Sequence, residues 1–118
     1  MKMNRKTKES DRIRDISGTE SFFTVKLRYF GSIRAAAETP EALLKVPSGT
    51  TPVQLLHIVC NHNTTELRDE ILEKGSDTVR TDLMITLNGT ILSSTELVTK
   101  VLESEDVISI FPIFPGGG

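Results

Sequence analysis

Residues 107–118 read VISIFPIFPGGG, and this closing stretch organises the rest of the chain. Val107 to Phe111 is apolar on both faces, which predicts a strand in the middle of a sheet, covered on either side. Pro112 and Pro115 then fix φ and remove backbone donors, so the strand cannot be prolonged and the chain leaves extended. Three glycines follow. Lacking a Cβ, Gly116, Gly117 and Gly118 have no lateral bulk and could pass through a slot too narrow for other residues, presenting the terminal carboxylate as a reactive group. A frayed chain end or glycines left by cloning would give the same letters, so the tail has to be weighed with the rest of the sequence.

Working back from this strand, Leu83, Ile85 and Leu87 alternate with Met84 and Thr86, and Asn88-Gly89 supplies the positive-φ pair of a tight hairpin returning through Thr90-Ile91-Leu92. Between hairpin and final strand, Ser93 and Glu96 have capping-box spacing for a helical turn, with Leu97 and Val101 expected to face the core. The strongest local signal lies upstream at Thr51-Pro52-Val53-Gln54: a Thr N-cap, Pro at the first helical position and Gln closing the box. It predicts a helix to about His62, with Val53, Leu56, Val59 and Cys60 in one apolar stripe and Leu55 on its edge. A second helix is expected over Thr64 to Lys74, ended by Gly75, with Glu66, Arg68, Asp69, Glu70 and Glu73 as a solvated face.

The fold begins near Phe23. Val25, Leu27 and Tyr29 alternate with Lys26 and Arg28, the period of a strand with one buried face. After Gly31, Ser32 is expected to cap a short helix through IRAAAE that Pro40 stops. A second strand follows at Ala42 to Val46. The order of strand, short helix, strand, two helices, hairpin, turn and strand describes an α+β domain with four to five strands around one principal helix. Residues 1–21 mix both charge signs with few apolar residues and are expected to form a flexible arm; residues 22–118 form the domain.

Composition narrows the function. The arm holds six Lys or Arg and four Asp or Glu; of 14 and 16 in the whole chain this leaves eight against twelve, a net charge of −4, in residues 22–118. That acidic body does not favour nucleic acid. No apolar run is long enough to span a bilayer and no secretory pattern opens the chain, so a cytoplasmic protein is expected. The single cysteine, Cys60, reads as a small core residue, and with His57 it makes at most two metal ligands, so no metal is assigned. No Ser/His/Asp order or Gly-rich phosphate loop points to catalysis by the chain alone.

VKLRYFGSIRAAAE, LNGTIL and EDVISIFPIFPGGG, in this order, resemble the MoaD/ThiS sulfur-carrier family, nearest its MoaD branch, over about residues 24–118. The resemblance implies a β-grasp, ubiquitin-like fold. It also implies that the Gly118 carboxylate is adenylated by a MoeB/ThiF-type, ubiquitin-activating-like adenylyltransferase that consumes ATP and Mg²⁺, with no cofactor held by the carrier. A persulfide donor would then convert it to a thiocarboxylate, and a MoaE-type large subunit of molybdopterin synthase would use that sulfur on a pyranopterin precursor. Gly117 and Gly116 would provide the slender approach, and Phe111, Ile113 and Phe114 would dock partners, unless they are ordinary core or edge residues. The family usually ends in two glycines. Aligned on Pro112, the usual pair falls on Gly116 and Gly117, so Gly118 is either tolerated or trimmed. The same activated carboxyl could instead be passed to a lysine amine, as in a ubiquitin-like protein modifier. A plain β-grasp binding module with an incidental terminus would need neither chemistry.

Overall fold

The computed structural model describes residues 21–113. In chain order the elements are β1 (Phe22–Tyr29), α1 (Gly31–Ala37), β2 (Glu41–Pro47), α2 (Pro52–Asn61), α3 (Thr65–Ile71), β3 (Leu83–Leu87), β4 (Thr90–Ile91), α4 (Ser94–Thr99) and β5 (Val107–Pro112). The five strands form one mixed sheet in the order β2-β1-β5-β3-β4, so the last strand lies at its centre. β5 pairs parallel with β1, Leu27 beside Ile108 and Tyr29 beside Ile110. On its other side it pairs antiparallel with β3, Met84 beside Phe111 and Leu83 beside Pro112.

The alternation in β1 places Val25, Leu27 and Tyr29 in the core, where they meet Ile108 and Ile110 of β5 and Ile85 and Leu87 of β3. Ile33 of α1, Leu55, Leu56 and Val59 of α2, and Leu67 and Ile71 of α3 complete this cluster from the helical side. One face of the sheet is therefore covered by helices, and the odd-numbered residues of β5, including Phe111, lie on the other.

Local chemistry sets the helix starts. Thr51 Oγ1 accepts from the Gln54 amide at 3.3 Å while Gln54 Oε1 accepts from the Thr51 amide at 3.0 Å, a complete capping box. Ser93 and Glu96 repeat it at 3.1 and 2.9 Å on α4. Asn88 and Gly89 turn the hairpin at φ +51° and +89°. Asn88 also clasps the hairpin to β5: its Oδ1 accepts from the Val107 amide at 2.8 Å and its Nδ2 donates to Asp106 at 3.0 Å.

Four details differ from the sequence reading. Ser32 does not cap α1; Gly31 is its first residue, extended Phe30 precedes it without a side-chain cap, and the Ser32 hydroxyl donates to Glu70 at 2.8 Å. Leu55 is fully buried rather than marginal, because α3 and α4 both pack against α2 and widen its covered face, whereas Val53 is half-buried. α3 stops at Ile71, not Gly75. Leu72 is extended and bridges Val79, and Ile71 and Leu72 are both buried in the core. After α4 the chain is likewise extended at Lys100, and the Leu102 amide donates to the Thr50 carbonyl at 2.9 Å. Leu102 is thereby buried and Val101 faces outward, 53% exposed.

Candidate functional site

The candidate site is the end of β5, where the chain leaves the sheet. Phe111 is half-buried on the helix-free face, stacked on Phe30 with ring centroids 4.2 Å apart and planes 12° from parallel. The Arg28 guanidinium lies 5.5 Å from the centre of the Phe30 ring, adding a cation–π contact. The stack follows from the register: Tyr29 pairs with Ile110, so the next residues of two parallel strands, Phe30 and Phe111, emerge side by side. Phe30 is the member that sequence reasoning missed. Its place in the β1 alternation puts it opposite Tyr29, but only the β1–β5 pairing brings it to Phe111.

Pro112 follows, still within the strand, and Ile113 is 47% exposed. The Ile113 amide donates to the Asp82 carbonyl at 2.9 Å. The Asp82 carboxylate is gripped through both oxygens by Arg80, Nε to Oδ1 at 2.9 Å and Nη2 to Oδ2 at 2.7 Å, while Arg80 Nη1 donates to the Asp69 carbonyl at 2.8 Å. The hydrogen bonds from Arg80 hold the Asp82 carboxyl below its ordinary pKa. Phe114, Gly116, Gly117 and Gly118 lie outside the described residues, as do residues 1–20 of the expected arm. The structure thus places Phe111 and Ile113 together at the strand end, one packed and one half-exposed. A separate groove of about 240 Å³ lies at the other end of β5, lined by Thr24, Lys26, Leu43, Glu105 and Val107, away from Phe111.

Two further chemistry-bearing side chains have structural partners. His57 Nε2 lies 2.7 Å from the Asp77 carbonyl and Arg68 bonds Ser76 and Asp77, which together anchor the loop after α3. Among the described residues no cluster of three or more His, Cys, Asp or Glu is placed to hold a metal, and no helix is long and apolar enough to cross a membrane.

Cys60 is 4% exposed, and burial pushes its thiol from 9.0 up to about 11, outweighing the opposing pull of Arg68. Two results follow. At pH 8 the native protein should resist a disulfide exchange reagent that labels the denatured chain at once; rapid native labelling would contradict the burial. With its folded pKa raised, Cys60 contributes full stability below pH 9, where neither state ionises. That contribution should be lost as pH rises from 9 to about 11, because the unfolded thiol ionises first. Denaturant melts of wild type and Cys60→Ala across this window isolate the effect, and parallel pH slopes for the two would refute it.

A central parallel strand beside β1, the 2-1-5-3-4 strand order and helices on one face define a β-grasp, ubiquitin-like protein whose last strand runs out toward a glycine-rich end. The ThiS family model matches residues 27–117, so the chain belongs to the ThiS family of the MoaD/ThiS sulfur-carrier group. Among solved structures it is similar to small archaeal modifier protein 1 from Methanosarcina acetivorans, at 27% identity and a TM-score of 0.69, covering 82% of this chain and 99% of that one. It is also similar to a molybdopterin converting factor, subunit 1, from Pyrococcus furiosus, at 26% identity and a TM-score of 0.59, covering 78% and 99%. The HVO 2177 protein of Haloferax volcanii shares the fold, with a TM-score of 0.69 at 20% identity over 97% of this chain and 98% of that one. No match was found among curated proteins.

Proposed function

We propose that this chain carries sulfur on its C-terminal glycine for molybdenum or tungsten cofactor synthesis. The observation that carries the reading is the continuity of the matched family region, which runs from β1 through the central strand and into the glycine run at residue 117. The similarity to a molybdopterin converting factor subunit supports the choice of pathway.

The chemistry explains why a tail is needed. A carboxylate is a poor electrophile, so its oxygen first attacks the α-phosphorus of Mg-ATP in a MoeB/ThiF-type adenylyltransferase, releasing pyrophosphate. The terminal sulfur of a persulfide donor then attacks the acyl-adenylate carbonyl and AMP leaves. A second thiol cleaves the resulting S–S bond, forming a disulfide and freeing the thiocarboxylate. A MoaE-type large subunit takes up that end; the sulfur displaces an oxygen leaving group from a carbon of the pyranopterin precursor, and water then hydrolyses the resulting thioester, leaving the sulfur on the precursor and returning the glycine carboxylate. One carboxyl group visits several active sites in turn, so positioning by a narrow leash does much of the work. Beside the tail, the exposed flank of Ile113 and the Phe30–Phe111 stack are suited to partner docking.

A second reading is favoured by the likeness to a small archaeal modifier protein: the same adenylate passed to a lysine amine to give an isopeptide. Intact-mass analysis of the protein purified from its own cells separates the two. The sulfur carrier is expected to show a fraction heavier by the difference between sulfur and oxygen, localised to the last peptide, and any removal of Gly118 shows in the same spectrum. Branched peptides bearing the tail on target lysines, with no thiocarboxylate fraction, would replace the first reading by the second.

A further inference from the structure

The root of the tail is held from two sides by groups outside the sheet. On one side lies α1. Gly31 sits at φ +59°, and a Cβ there would stand 2.7 Å from Pro112 Cγ and 3.2 Å from Cδ, so only a glycine lets the start of α1 close against the last residue of β5. α1 is itself fixed by buried Ile33 and by the hydrogen bond from Ser32 to Glu70 of α3. On the other side lies the segment before β3. Asp82 receives the Ile113 amide one residue beyond the strand, and Arg80 ties the Asp82 carboxylate to the Asp69 carbonyl, again on α3. Both arms therefore lead back to one short helix through neighbouring residues, Asp69 and Glu70.

We infer that Gly31 and Arg80 are positioning residues that form a collar around Pro112 and Ile113 and set the direction in which the tail leaves the domain. Each acts through another residue: Gly31 through Pro112, and Arg80 through Asp82 on the Ile113 amide. The functional consequence rests on the proposed carrier reading. A carrier must offer its end along a line its activating enzyme can accept. A β5 tip released from one side would dock as before and deliver the carboxylate off line.

Two measurements test this. On the full chain alone, Arg80→Ala should speed hydrogen exchange of the Ile113 amide by about tenfold or more while the Ile110 amide, deep in the ladder, keeps its protection. Equal changes at both amides, or none at Ile113, would dispose of the Arg80 arm. With the ThiF-type adenylyltransferase of the same organism and Mg-ATP, Gly31→Ala and Arg80→Ala should each lower kcat for pyrophosphate release by about tenfold with KM changed less than about twofold. The steric arm has its own rescue: in a Pro112→Ala background, which removes Cγ and Cδ but leaves the backbone strain of an alanine at φ +59°, Gly31→Ala should cost kcat clearly less than it does beside Pro112. A folded Gly31→Ala chain with wild-type kcat, or one equally impaired in both backgrounds, sinks the Gly31 arm. The exchange measurement needs no enzyme. A wild-type chain that is never adenylated thus counts against the carrier reading, while the Ile113 response still decides whether the collar exists.

Discussion

Deleting Gly117 and Gly118 together is expected to lower sulfur transfer by more than ~100-fold while leaving the melting temperature unchanged, since glycines bring no side chain to the core. The loss should appear already at adenylation, because the carboxylate would end short of the α-phosphorus. Deleting Gly118 alone asks a separate question. If the last residue is trimmed before activation, that variant should work as wild type; if Gly118 is the acceptor, it should be impaired and the native mass should retain all three glycines. Pyrophosphate release and thiocarboxylate formation, read by intact mass, measure both variants. Undiminished function in the cell after loss of two glycines, with no pyrophosphate release from the wild type, would show the terminus to be incidental and return the chain to the class of plain β-grasp binding modules.

The second large effect is on the fold. Leu27→Ala should destabilise the protein by about 3.5 kcal/mol, the middle of the range for a fully buried leucine. Leu27 is 0% exposed on β1, with Ala42 of β2 on one side and Ile108 of β5 on the other, so there is little freedom to collapse around the cavity. For a chain of this size that corresponds to a fall in Tm of roughly 10–15 °C. Leu43→Ala, at a side chain 69% exposed on the edge strand, should change stability by less than about 0.5 kcal/mol. Thermal melts followed by circular dichroism check the pair. A similar loss at both positions would mean that the assigned register of β1 against β2 is wrong, since adjacent residues of a strand face opposite ways.

Elements whose cause lies within a few residues were legible in the sequence. Thr51-Pro52-Val53-Gln54 and Ser93 with Glu96 close their capping boxes without help from the rest of the chain. Asn88-Gly89 turns because both positions accept positive φ. Val25, Leu27 and Tyr29 declare a buried face by alternation, and a strand apolar on both sides has to lie inside a sheet, as β5 does.

Tertiary structure decided what depends on residues far apart in the chain. Leu55 is buried because two other helices flank α2, α3 ends early because Leu72 pairs with Val79, and Leu102 rather than Val101 turns inward because its amide meets Thr50. Around the tail the same division holds. The glycine run, Phe111 and Ile113 can be read directly, whereas Phe30 beside Phe111, Gly31 against Pro112 and Asp82 under Ile113 exist only once β5 lies between β1 and β3. Caps and turns are settled by hydrogen bonds that close over three or four residues, and those reside in the sequence. Strand order is settled by which distant surfaces bury most completely together, and only the folded chain expresses that choice.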